Sequence, residues 1–209
     1  MKKPYDEMFD ATGKPRDHYK LFNDWLGKQN SSLMQIKRDE ADIIFRRVGI
    51  TFAVYGDDQG AERTIPFDQI PRIFSAYEWK TLEKGLRQRV KALNSFIHDV
   101  YHDQNIVKAG LIPPEQLFNN AQYRPEMRYV DVPRDIYAQI AGIDIVRAGE
   151  GEFYVLEDNL RVPSGVSYMV EDRKMMMRLF PDLFEKYRIA PVEHYPDLLL
   201  ECLKTVSPV

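Results

Sequence analysis

Asp144, Glu157 and Asn159 are the residues whose types and spacing could do chemistry in this chain. Asp144 stands thirteen residues before Glu157, and Asn159 follows two later. Two β-prone runs, Ile143-Asp144-Ile145-Val146 and Phe153-Tyr154-Val155-Leu156, flank Ala148-Gly149-Glu150-Gly151, which supplies glycine where a tight connection needs positive φ. The spacing predicts a hairpin. In its simplest register Ala148 opposes Phe153 around a four-residue loop, so 146 faces 155 and 144 faces 157. Alternation then puts Asp144, Val146, Phe153, Val155, Glu157 and Asn159 on one side. Carboxylates directly opposite each other repel. A divalent cation removes that penalty, and an oxygen-only set of two carboxylates and one amide suits Mg²⁺. A solvated acidic edge is the competing reading of the same spacing. The next residues, Leu160-Arg161-Val162-Pro163-Ser164-Gly165, favour the metal. Arg161 offers a forked donor for a phosphate or an oxyanion. Backbone N–H groups around Ser164 and Gly165 are suited to an anion.

The elements that must position these residues are legible in outline. The strongest helical pattern runs through Trp79, Leu82, Leu86, Val90, Leu93, Ile97, Val100 and Tyr101, at spacings of three and four. Gly110 and Pro113-Pro114 stop it, and a short helix is expected from Pro114 to Phe118. An earlier helix, capped by Ser31 or Ser32, is expected to run through Phe45. The run 49–56 reads as a strand, 57–60 as a turn and 63–67 as a return strand. Residues 119–135 look irregular. A helix over 171–184 with Met175 and Met176 in a core, and a last one over 195–203, complete the reading. Tyr5, Phe9, Tyr19, Phe22 and Trp25 make residues 1–30 an aromatic arm that packs on something. The expected fold class is α+β, mainly antiparallel sheet with packed helices.

With 29 Lys and Arg against 32 Asp and Glu, the net charge of −3 provides no field for nucleic acid or an anionic membrane. No apolar run approaches the roughly 18 residues of a membrane span, and no apolar segment follows the two N-terminal lysines. A cytoplasmic protein is expected. The single cysteine, Cys202, lies in an apolar helical run and reads as a buried structural thiol in a reducing compartment. His98 and His102 are one helical turn apart, a pair of potential zinc ligands with Asp99 and Asp103 near. No further ligand pair joins them, and a solvated helix face is the expected role.

Longer stretches carry a resemblance. Tyr5-Asp6-Glu7-Met8-Phe9-Asp10, Gly49-Ile50-Thr51-Phe52, Ile65-Pro66-Phe67-Asp68 with Ile70-Pro71-Arg72, and Glu78-Trp79 with Gly85-Leu86-x-Gln88-Arg89-x-x-Ala92-Leu93-Asn94 all resemble the circularly permuted ATP-grasp type 2 family. So do Ala141-Gly142-Ile143-Asp144 and the long block from Leu156 through Glu157-Asp158-Asn159 and Arg161 to Tyr168. The resemblance covers nearly the whole chain and implies a partial ATP-grasp-like fold, the metal-binding lobe. It implies Asp144, Glu157 and Asn159 as Mg²⁺ ligands and Arg161 as a cation near the phosphates or an acyl phosphate. Ser164 and Gly165 would shape the substrate end. Members are often described as glutathionylspermidine-synthase-like, which implies ATP-dependent ligation of a small-molecule or peptide carboxylate to an amine. Where many ATP-grasp ligases carry Arg two residues before the metal Asp, this chain carries Gly142. The adenine-hinge residues and phosphate-binding lysines are not assignable here. The expected organisation is therefore an arm over 1–48 and a partial ATP-grasp domain over 49–209 that continues beyond the chain end. A companion chain supplying the other lobe, or a non-catalytic binding module, is the alternative.

Overall fold

Asn30, not a serine, caps the first long helix: its side-chain oxygen accepts from the Ser32 backbone N–H at 2.8 Å. In the computed structural model, which describes residues 4–53 and 62–207, the helices are α1 (Lys20–Leu26), α2 (Ser31–Val48), α3 (Ala76–Tyr101), α4 (Asn105–Lys108), α5 (Pro114–Phe118), α6 (Val166–Leu179), α7 (Pro181–Lys186) and α8 (Tyr195–Val206). The strands are β1 (Thr51–Ala53), β2 (Glu62–Thr64), β3 (Gly142–Gly149) and β4 (Glu152–Asn159). They form two antiparallel hairpins, β1 with β2 and β3 with β4. The protein is α+β, with helices dominating and the sheet small. The turn expected at 57–60 lies outside the described residues. Irregular 119–135 contains two short 3₁₀ turns, each opened by a proline.

The chain divides into two compact units. The first comprises residues 1–75 and 164–193. Its core is aromatic and aliphatic: Tyr19, Phe22 and Trp25 from the N-terminal segment, Ala41 and Phe45 from α2, and Met175, Met176, Leu179, Phe180 and Leu183 from α6 and α7. The aromatic arm is thus core, folded as a 3₁₀ turn (Asp17–Tyr19) leading into α1. One helix was expected over 171–184, but the chain makes two. Pro181 brings no N–H and its ring clashes with the preceding turn, so α6 ends at Leu179. The break turns Phe180 inward, edge-on to Trp25 at 5.2 Å. Polar ends of these rings are satisfied: Trp25 Nε1 donates to Asp182 at 2.5 Å, and the Tyr187 hydroxyl accepts from the Phe22 N–H at 2.7 Å.

The second unit comprises residues 76–163 and 194–209 and holds α3, the β3–β4 hairpin and α8. Its buried apolar residues are few, Val100 and Ala138 among the described ones. Polar contacts organise it. Asn94 Oδ1 accepts from the N–H groups of Tyr137 and Ala138 at 2.7 and 2.9 Å, fastening the chain before β3 to α3. Tyr101 lies parallel to Tyr123, with ring centroids 5.2 Å apart. Cys202 is only half-buried, its thiol 3.5 Å from the Gln139 carbonyl, so the expected buried thiol is corrected.

Candidate metal centre on the β3–β4 hairpin

Asp144 pairs with Glu157 across the hairpin, and Gly142 with Asn159, as the spacing predicts. Between these pairs and the turn the register differs. Ile145 faces Val155, Val146 faces Tyr154 and Arg147 faces Phe153; Gly149 faces Glu152 around a two-residue turn at Glu150-Gly151. One extra residue, Leu156, sits in β4, and one, Ala148, in β3. The two irregularities cancel, so the ends of the hairpin keep the simple register while its middle is shifted by one. A bulge reverses the facing of everything beyond it.

That shift corrects the predicted faces. Phe153 and Val155 do not share a side with Asp144 and Glu157. They turn inward with Ile145 and Arg147, while Asp144, Glu157 and Asn159 are exposed on the outside. The physical reason is burial: the inner face borders a groove against α3, lined by Leu82, Gly85, Leu86, Ile145, Phe153 and Val155. Apolar side chains gain by lying there. Without the bulge they would point out with the carboxylates.

Two ion pairs bind the inner face to α3. Near the turn, Arg147 meets Glu78, with side chains only 4% and 12% exposed, and the guanidinium lies 5.4 Å from the Phe153 ring centroid. At the open end, Arg89 meets Asp158 through two hydrogen bonds, Nε to Oδ1 at 2.7 Å and Nη2 to Oδ2 at 2.6 Å. This fork holds the Asp158 carboxyl below the usual carboxylate range and raises the Arg89 guanidinium.

On the outer face the Asp144 carboxyl is raised, first by a hydrogen bond with Glu157, then by desolvation and by repulsion from Glu157. Asn159 Nδ2 donates to Glu157 Oε1 at 3.0 Å. Two carboxylates and one carboxamide therefore meet at the open end of the hairpin, an all-oxygen donor set that matches the preference of a hard divalent ion. Among the described residues no three His, Cys, Asp or Glu side chains gather as a metal cluster; the third member of this set is the Asn159 amide. Arg161 lies in the same unit, where Nη1 donates to Gln122 Oε1 at 2.6 Å. Ser164 and Gly165 belong to the first unit, where Gly165, at φ +99°, precedes α6. That dihedral is open to glycine and strained for other residues. His98 and His102 stack with centroids 4.1 Å apart on α3, beside Tyr137.

Gly142 also has a structural account. A Cβ built there would stand 2.7 Å from the Pro163 Cβ, so the Pro163 ring or the strand would have to shift.

A family model described as a circularly permuted ATP-grasp matches residues 71–209. The chain belongs to the circularly permuted ATP-grasp family. Within that family a Synechocystis sp. protein named as uncharacterized is 45% identical over 98% of this chain, which spans 42% of that protein. A Mycobacterium tuberculosis protein, also named as uncharacterized, is 40% identical over 96% of this chain and 36% of its own length. A Frankia casuarinae protein named "Putative glutamate--cysteine ligase 2-2" is 37% identical over 98% of this chain and 23% of its own length. The chain thus spans about two-fifths or less of the relatives it matches.

For this ATP-grasp chain, sequence reasoning found the outer cluster and missed its supports. Arg89 and Asp158 both stand in motif blocks, yet they are 69 residues apart, and no local spacing announces their pairing. The bulge leaves a trace. Leu156 follows Val155 as a second large apolar residue where strict alternation wants a polar one.

Proposed function

We propose that this chain carries the metal-binding end of an ATP- and Mg²⁺-dependent carboxylate–amine ligase. The observation that carries the reading is the Asp144–Glu157–Asn159 oxygen cluster on a hairpin of a circularly permuted ATP-grasp chain. Two Frankia relatives named as putative glutamate–cysteine ligases support the class, because that reaction joins an acid to an amine. The finer reading is a glutathionylspermidine-synthase-like ligase, joining a small-molecule or peptide carboxylate to an amine.

Bound Mg²⁺ would supply charge neutralisation on the phosphate oxygens of ATP. Asp144 and Glu157 would hold it through carboxylate oxygens, and the ion would offset the repulsion between them. Asn159 would add its Oδ1 while its Nδ2 keeps Glu157 Oε1 oriented. Arg161 would leave its neutral partner Gln122 and set its fork on a phosphate or acyl-phosphate oxygen. The γ-phosphoryl group would pass to the substrate carboxylate; amine attack on the acyl phosphate would then expel phosphate and form the amide. The protein's part is placement and electrostatic stabilisation.

Calorimetric titration with MgATP tests the proposal. Binding is expected in the native chain and lost in Asp144→Asn and in Glu157→Gln, with far-UV circular dichroism unchanged in both. Undiminished binding in those variants would sink the metal assignment. A folded native chain that binds no MgATP would instead favour a non-catalytic module, or a half-site completed by a companion chain.

A further inference from the structure

The hairpin can be closed in two registers. In the uniform one, with neither bulge, Glu157 and Asn159 would share a face with Phe153 and Val155. In the observed one, Leu156 is extra, so Phe153, Val155 and Asp158 turn inward while Glu157 and Asn159 turn outward. A slip of one residue exchanges the faces. The groove takes Ile145, Phe153 and Val155, and alternation from Ile145 puts Asp144 outside; on β4 the extra Leu156 separates Val155 from Glu157, so the direction of Glu157 and Asn159 is set beyond the bulge, at Asp158.

Arg89 is placed to set it. Its fork takes both oxygens of Asp158, at 2.7 and 2.6 Å, so it sets the position and the rotation of that carboxylate. Asp158 is 16% exposed, and it lies between Glu157 and Asn159 on the opposite face. Adjacent strand residues point opposite ways. Anchoring Asp158 inward therefore aims its two neighbours outward, toward Asp144. The second bridge, Arg147–Glu78, acts on β3, where unbroken alternation from Arg147 puts Asp144 outside; on β4 it lies beyond the bulge from Glu157 and Asn159.

We propose that Arg89 and Asp158 are positioning residues for the oxygen cluster: the fork holds Asp158 on the inner face and so keeps Glu157 and Asn159 aimed outward beside Asp144. The proposal rests on the metal reading of the same hairpin end. Partners behind metal ligands commonly change affinity about 10- to 100-fold when removed.

Mn²⁺, read by its electron paramagnetic resonance signal, serves as the probe for the Mg²⁺ site in the 209-residue chain. Arg89→Ala and Asp158→Asn, neither of which removes a proposed ligand, are expected to weaken Mn²⁺ binding about 10- to 100-fold. Arg89→Lys, which keeps the charge but not the fork, is expected to fall between Arg89→Ala and the native chain. It also keeps the test alive if Arg89→Ala does not fold. Glu78→Gln breaks the other bridge and is expected to lower the melting temperature, with a smaller loss of Mn²⁺ affinity than Asp158→Asn. If Asp144→Asn loses Mn²⁺ while Arg89→Ala and Asp158→Asn bind as tightly as the native chain, the positioning role is overturned and the metal reading stands. Equal loss in Glu78→Gln and Asp158→Asn would reduce the fork to general support and overturn the role as well. A native chain that takes up no Mn²⁺ overturns the metal reading, and the positioning role falls with it.

Discussion

The first unit is held by rings and methyl groups, the second by forks and amides. In the first, Phe22, Phe45, Leu179 and Phe180 are almost fully enclosed, and the polar atoms around them serve the aromatic side chains. In the second, Val100 and Ala138 are the buried apolar residues among those described, and the organising contacts are Arg147–Glu78, Arg89–Asp158 and the Asn94 amide. Apolar burial is strong but undirected; it tolerates small displacements. A bidentate fork constrains an angle as well as a distance. The unit that presents the oxygen cluster is the one built from directional contacts, which suits a site where sub-ångström placement matters.

The contrast can be attacked on either side. The largest expected effect is in the first unit: Phe22→Ala should cost about 3–5 kcal/mol in urea unfolding, through lost transfer energy and the cavity left between Tyr19 and Trp25. A cost near that of an ordinary surface change would show that the aromatic cluster is not the stabilising element it looks to be. An intermediate effect is expected from Asn94→Ala, which leaves the Tyr137 and Ala138 N–H groups without their acceptor. A loss of about 1–3 kcal/mol is expected, read together with faster amide exchange at those two positions. Unchanged exchange there would mean that the amide does not hold the entry to β3.

The smallest effect concerns pH. Asp99, at the end of α3, is partly desolvated, which raises its pKa, but hydrogen bonds from the Ile106 and Asn105 N–H groups outweigh that and hold it below its ordinary value. A carboxyl depressed in the folded state contributes stability above its unfolded pKa and loses it as pH falls through the folded one. The native chain should therefore lose more stability than Asp99→Asn on acidification through the carboxylate range. Parallel melting temperatures for the two proteins across that range would remove Asp99 from the polar contacts that matter.

Several features of this molecule were legible in local pattern. The helix over 76–101 follows from apolar residues at helical spacing, and α5 begins and ends where Pro114 and Phe118 suggested. The Asp144–Glu157 pairing follows from a glycine turn between β-prone runs, because a hairpin is closed by residues close in sequence. The role of Met175 and Met176 in a core was also readable from helical spacing.

What distant contacts decide was not readable. The break at Phe180 had a local cause in Pro181, but its orientation against Trp25 depends on residues far away in sequence. The face assignment of Phe153 and Val155 failed because alternation assumes a uniform ladder. The groove beside α3 makes one extra residue in β4 worth its disruption. Sequence alone therefore determined which residues could form an oxygen cluster, since residue type and hairpin spacing are local properties. Only the tertiary structure decided which face that cluster occupies and that Arg89 stands behind it, because burial and ion pairing act between segments that no local pattern connects.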